Sequence, residues 1–116
     1  MNNWQPPHIE HGIPTQWHWV VYYPDNLMLG ENTDIGAFTF IQAEYGVEIG
    51  EGAQIGGGCM IYSANTINQQ FAPVIIGEGA RIGANSVILP GSVIKAGQMI
   101  KALSVVYFDG QETRVK

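Results

Sequence analysis

Residues Ile49 to Thr66 read IGEGAQIGGGCMIYSANT, and the isoleucines at 49, 55 and 61 stand six apart. The same count runs backward through Leu29, Ile35 and Ile41. It runs forward to Ile67, and resumes at Ile76, Ile82, Ile88, Ile94, Ile100 and Val106. Two shifts of phase interrupt it, a two-residue insertion around Gly46 to Glu48 and a three-residue excess between Ile67 and Ile76. A period of six fits neither an amphipathic helix, whose apolar residues fall three and four apart, nor a plain strand, which alternates every two. It fits a short strand followed by a corner, repeated. Each aliphatic then points inward, the small residue at the fifth position (Thr39, Ala53, Cys59, Ala80, Ser86) fits the crowded bend, and glycine relieves the backbone where it turns. Glycine follows the aliphatic in two hexads of every three, at Gly30 and Gly36, Gly50 and Gly56, Gly77 and Gly83. Three hexads therefore make one turn of a three-sided coil. Coils stack about 4.8 Å apart, as parallel strands do. Four such coils run from Leu29 to about Gln111.

The pattern resembles the hexapeptide-repeat proteins over some 80 of the 116 residues. The resemblance implies an all-β fold, a left-handed parallel β-helix of triangular section with about four coils. The hand comes from the family, because the usual crossover rule favours the opposite one. It also implies a homotrimer, and composition agrees. Only 13% of residues are charged against 46% apolar, so much of the surface is uncharged or covered by another subunit.

Charge and cysteine usage exclude other classes. With a net charge of −5 and five Lys plus Arg, the chain cannot neutralise many phosphates, which argues against nucleic acid and anionic membranes as partners. The N-terminus shows no basic patch followed by an apolar run, and no apolar stretch approaches about 18 residues, so neither a signal peptide nor a membrane span is expected. The single cysteine, Cys59, excludes an intrachain disulfide and points to a reducing compartment, the cytoplasm.

Three segments are expected. Residues 1–28 lack the repeat and hold Trp4, Trp17, Trp19, Tyr22 and Tyr23; they read as an aromatic cap over the open end, with one strand in WHWVVYYP and a turn at Pro24 to Asn26. Residues 29–111 form the β-helix, with a polar, proline-bearing loop at 67–75 (INQQFAPVI), and 112–116 form a tail, the remnant QETRVK reading as a short strand or a frayed end.

The order IYSAN, then a loop, then PVIIGEGARIGANSVILPGSVI resembles the sugar and xenobiotic acetyltransferase branch of the family. That resemblance implies acetyl transfer from acetyl-CoA to a sugar or nucleotide-sugar hydroxyl or amine, at a site between subunits. Such chemistry needs a general base and a group that stabilises the oxyanion. Relatives carry a histidine at positions that hold Gly57, Gly58 and Thr66 here, and one coil further on Asn85 stands in the slot. The residues left for catalysis are Asn65 and Asn85, with Tyr62, as hydrogen-bonding groups, and His18 as a base reaching an adjacent subunit. Coenzyme A in the family lies along the groove between β-helices on main-chain groups, which implies Gly83, Ala84, Ala102 and Ser104.

Bland readings accompany these. His8, His11 and His18 have no helix to align them as metal ligands and read as solvated or capping imidazoles; no metal site is expected, and the zinc histidines of the γ-class carbonic anhydrases have no counterpart on the coils. Cys59 reads as an inward, inert thiol. Gly83, Ala84, Ala102 and Ser104 read equally as plain corner residues. The alternative to an enzyme is a noncatalytic structural or ligand-binding hexapeptide protein without the histidine. An ice-binding face is disfavoured, because beyond Thr33 and Thr39 no threonine ladder continues.

Overall fold

In the computed structural model, which describes residues 3–116, the hexads become short parallel strands joined by tight corners. Strand β1 (Val20–Tyr22) leads through a 3-10 turn at Pro24–Asn26 into a first coil of β2 (Leu27–Leu29), β3 (Asp34–Ile35) and β4 (Phe40–Gln42). The second coil is β5 (Val47–Ile49), β6 (Gln54–Ile55) and β7 (Met60–Tyr62). A hairpin of β8 (Ala64–Asn65) and β9 (Gln70–Phe71) follows, then a third coil of β10 (Val74–Ile76), β11 (Arg81–Ile82) and β12 (Val87–Ile88). The fourth is β13 (Val93–Ile94), β14 (Met99–Ile100) and β15 (Val105–Phe108), and β16 (Thr113–Val115) turns back antiparallel on β15. The architecture is an all-β, left-handed parallel β-helix whose three faces are the sheets β2-β5-β10-β13, β3-β6-β11-β14 and β1-β4-β7-β12-β15.

The counted aliphatics stack in register. Ile49 pairs with Leu29 and Ile76, Ile55 with Ile35 and Ile82, and Ile61 with Ile41 and Ile88. Each of these isoleucines is buried, and each contributes roughly 1.5–3 kcal/mol by leaving water. Small fifth-position residues (Thr39, Ala53, Cys59, Ala80, Ser86, Ser92) are buried at the bends.

Three features refine the sequence expectation. Ile67 is 93% exposed and lies outside the core count; it sits in the turn between β8 and β9. Ile76 stacks on Ile49, while Ile75, placed in the loop by sequence, is a strand residue opposite Glu48. Second, the coils are unequal in length. The β2-β5-β10-β13 face is regained at Val47 from Leu27 and at Val74 from Val47, both later than three hexads allow, and only the step from Ile75 to Val93 keeps the regular count. The extra length falls at one corner, leaving the other two regular.

Third, the glycines after the aliphatics are not the turning residues. A Cβ on Gly83 would sit 2.3 Å from the backbone nitrogen of Ala102 in the next coil, so glycine is there because backbones approach closely. The turning is done two residues later by left-handed residues, among them Phe38, Gly58, Asn85 and Leu103. This explains why the rhythm ends: the equivalent slots of the fourth coil hold Lys95 and Lys101, and among the described residues no further coil lies beneath to meet their side chains.

The strand expected in WHWVVYYP forms as β1, but it belongs to the solenoid rather than to a separate cap. β1 pairs in parallel with β4, and Val21 stacks over Ile41. On this end rung the small fifth residue is replaced by Trp19, only 4% exposed, where among the described residues no coil lies above to crowd it.

Candidate functional site

One corner gathers several of the sequence candidates into a column. His18, Phe38, Gly58, Asn85 and Leu103 all take left-handed φ between 59° and 70°. Backbone hydrogen bonds link their rungs: the amides of Phe38, Gly58, Asn85 and Leu103 donate to the carbonyls of His18, Ala37, Gly57 and Ala84. Gly57 and Gly58, two of the three positions where a family histidine was sought, lie on this corner. The space a side chain at Gly58 would take is already filled, since a Cβ there would lie 2.2 Å from Oδ1 of Asn85. Asn85 itself is exposed. His18 is exposed as well and stacks on Phe38, ring centroids 6.0 Å apart and planes 25° from parallel. It stands three rungs from Asn85, on the order of 14 Å at the ordinary strand spacing, so within one chain the two do not meet.

Asn65 lies elsewhere, past the far end of β7 on the hairpin. Its Oδ1 accepts the Ile67 amide at 3.1 Å, which shapes the turn, and Thr66 beside it is exposed. The hairpin is anchored by Ser63: its hydroxyl donates to the Gln42 carbonyl at 2.8 Å and accepts the Tyr45 amide at 2.9 Å, and Tyr45 packs on Phe71 at 5.1 Å.

The expected cofactor residues fall into two groups. Gly83 and Ala102 border a groove of about 430 Å³ on the β3-β6-β11-β14 face. Ala84 is exposed at the corner beside it, its carbonyl accepting the Leu103 amide. Ser104 is buried, its hydroxyl donating to the Lys101 carbonyl at 2.6 Å and its amide to Ser86 at 3.3 Å, so it supports the corner from inside. Sequence reasoning missed Arg81 and Lys101, which line the same groove. Two of the chain's five cations thus stand together, and among the described residues neither is ion-paired. The register could have found them, because Arg81 pairs with Met99, two residues before Lys101.

The remaining candidates are quiet. Burial raises the pKa of the Cys59 thiol above its ordinary value, and its Sγ lies 3.3 Å from the Gly83 carbonyl, which describes an unreactive thiol. His11 accepts the Tyr23 amide at Nδ1, 2.9 Å away, and His8 lies 3.3 Å from Glu10. Among the described residues no group of three His, Cys, Asp or Glu side chains converges as metal ligands. No helix among them is long and apolar enough to cross a membrane.

The signature described as "Hexapeptide repeat of succinyl-transferase" matches residues 27–63 and 73–102, more than half of the chain, and skips the hairpin. The chain belongs to the hexapeptide-repeat family. Among solved structures, this hexapeptide-repeat chain resembles AntD, an N-acyltransferase from Bacillus cereus, in a mutant form complexed with dTDP and coenzyme A. Identity is 18%, the TM-score is 0.51, and the likeness covers 100% of this chain and 90% of AntD. It also resembles a hexapeptide-repeat-containing acetyltransferase from Vibrio cholerae complexed with acetyl coenzyme A, at 19% identity and a TM-score of 0.44. There the likeness covers 84% of this chain, which spans 62% of the length of the Vibrio protein. No curated protein sequence matches the chain.

Proposed function

We propose that this hexapeptide-repeat chain is an acyltransferase-like protein that moves an acetyl group from acetyl-CoA to a sugar hydroxyl or amine, at a site between the subunits of a homotrimer. The observation that carries this reading is the groove bordered by Gly83 and Ala102 and flanked by Arg81 and Lys101. Coenzyme A is a phosphate-rich ligand, and two free cations in a chain of net charge −5 are a specific provision for it. Gly83 and Ala102, with no bulk beyond a methyl, let a pantetheine chain approach the backbone. AntD, of the same fold, is complexed with coenzyme A and a thymidine nucleotide, which suits the ligand class proposed.

Bound acetyl-CoA supplies an activated acetyl thioester. The chain's own part is to hold the phosphates with Arg81 and Lys101, to hydrogen-bond the acceptor with the exposed Asn85 carboxamide, and to take the acceptor's proton on the imidazole of His18. The separation of His18 from Asn85 within one chain is the reason to assign that imidazole to a neighbouring subunit. Trimer formation is supported by the outer face of the β1-β4-β7-β12-β15 sheet. There Val20, Phe40, Met60, Val87 and Val105 form one apolar column, each half-buried in the isolated chain. The corresponding column on the groove face is Asp34, Gln54, Arg81 and Met99. A reducing, cytoplasmic setting fits the free buried Cys59.

A second reading has its own observation. Gly57, Gly58 and Thr66 occupy the histidine positions, and the Asn85 carboxamide fills the space at Gly58, as in a noncatalytic ligand-binding protein. Incubation with acetyl-CoA and a panel of nucleotide-linked amino sugars, following free thiol, separates the two. Thiol release that His18→Ala abolishes supports the enzyme; coenzyme A binding without turnover supports the second reading; neither binding nor turnover contradicts the proposal.

A further inference from the structure

A second cavity, distinct from the groove, lies at the N-terminal end of the solenoid. It has a volume of about 700 Å³ and lies where residues 3–8 together with Gln16, Trp17 and Trp19 face the first coil at Leu29, Thr33, Asp34 and Ile35. That is the size of an ordinary small-molecule site. All three tryptophans of the chain line it, Trp4, Trp17 and Trp19, together with Pro6 and Pro7. Trp19 is buried, while Trp17 is 49% exposed. Trp19 packs into the core with Ile35 and Leu29, whereas the half-exposed Trp17 and the 3–8 segment stand off from the first coil and leave a pocket open to solvent.

Charge decides what fits it. No Lys or Arg lines the cavity, and its His8 lies against Glu10, so an anion finds no counter-charge. Its one carboxylate, Asp34 on β3, has no ion-pair or side-chain hydrogen-bond partner among the described residues. Indole faces carry negative potential and attract cations, tryptophan most strongly of the aromatic side chains. We propose that this cavity is a binding site for an organic ammonium ion of choline size, held by the tryptophan faces with Asp34 as counter-ion. The proposal does not rest on acyl transfer, although Asp34 also borders the groove.

Because every tryptophan lines the cavity, intrinsic fluorescence of the full-length protein reads it directly. Titration with choline, in the absence of coenzyme A, should quench or shift the emission saturably. The uncharged isostere 3,3-dimethylbutan-1-ol should bind about tenfold more weakly or worse, as loss of the cation–π attraction requires. Trp17→Leu, at a half-exposed position, should weaken choline about tenfold, and the surface change Asp34→Asn several-fold, both with unchanged circular dichroism. Should Trp17→Leu unfold the chain, the isostere comparison on wild-type protein and Asp34→Asn still decide. Equal binding of the isostere, preference for a neutral methyl glucoside over choline, or no saturable response to choline would overturn the proposal.

Discussion

At Gly58 two constraints coincide: a φ of +70° and the Asn85 carboxamide 2.2 Å from where a Cβ would stand. Gly58→Ala should destabilise the fold by about 1–2 kcal/mol from the left-handed backbone alone, with a further cost for displacing Asn85. In an Asn85→Gly background that further cost should vanish, giving a coupling of roughly 0.5–1 kcal/mol in a double-mutant cycle by urea denaturation; strict additivity would contradict the geometry. Gly83 is a harsher case, because its neighbour at 2.3 Å is backbone and cannot rotate away. Gly83→Ala should cost about 3 kcal/mol or more, read as a fall in thermal midpoint, and a loss below about 1 kcal/mol would mean the coils can part. Both positions were visible in the sequence as glycines, but their reasons were not. Periodicity located them, whereas the closeness of Ala102 to Gly83 and of Asn85 to Gly58 exists only once coils of unequal length have been stacked.

Among elements, the regular corners were legible in full and the irregular ones only in position. Stacking of Ile49, Ile55 and Ile61 follows from the count of six because a single inward residue per side decides the register. The count marks where chain leaves the core but not what it builds there. Ile67 kept the phase by chance while sitting 93% exposed on the β8–β9 hairpin, and the strand expected in WHWVVYYP reads as cap rather than solenoid because Trp19 replaces the small corner residue. The C-terminal β15–β16 turn depends on Asp109. Its carboxylate accepts the amides of Glu112 and Gln111 and pairs with Arg114, in that order of weight, which holds its pKa at about 2. A carboxyl depressed in the folded state stabilises above its unfolded pKa and loses that contribution as pH falls through the folded value. Amide protection at Gln111 and Glu112 should therefore persist on acidification and disappear as pH drops through about 2, while Asp109→Ala should lose it at neutral pH. Loss near pH 4 in the wild-type protein would contradict the assignment.

For the whole molecule, the contrast between faces carries the account. The β1-β4-β7-β12-β15 sheet presents Phe40 and Val87 outward where the groove face presents Gln54 and Arg81. Phe40→Glu with Val87→Arg should convert the proposed trimer to monomer in sedimentation velocity while strand circular dichroism is kept, and an unchanged sedimentation coefficient would place the interface elsewhere. The groove was only half legible from sequence: Gly83 and Ala102 were expected by resemblance, while Arg81 and Lys101 come together only through register. They are also the groove's main provision for a phosphate ligand, so they give the sharpest test of the proposed coenzyme A site. In calorimetric titration with coenzyme A at low salt, the wild-type chain should bind saturably, and Arg81→Ser with Lys101→Ser should weaken binding about tenfold or more. Absence of binding to the wild-type protein, or an affinity untouched by removing both cations, would contradict it.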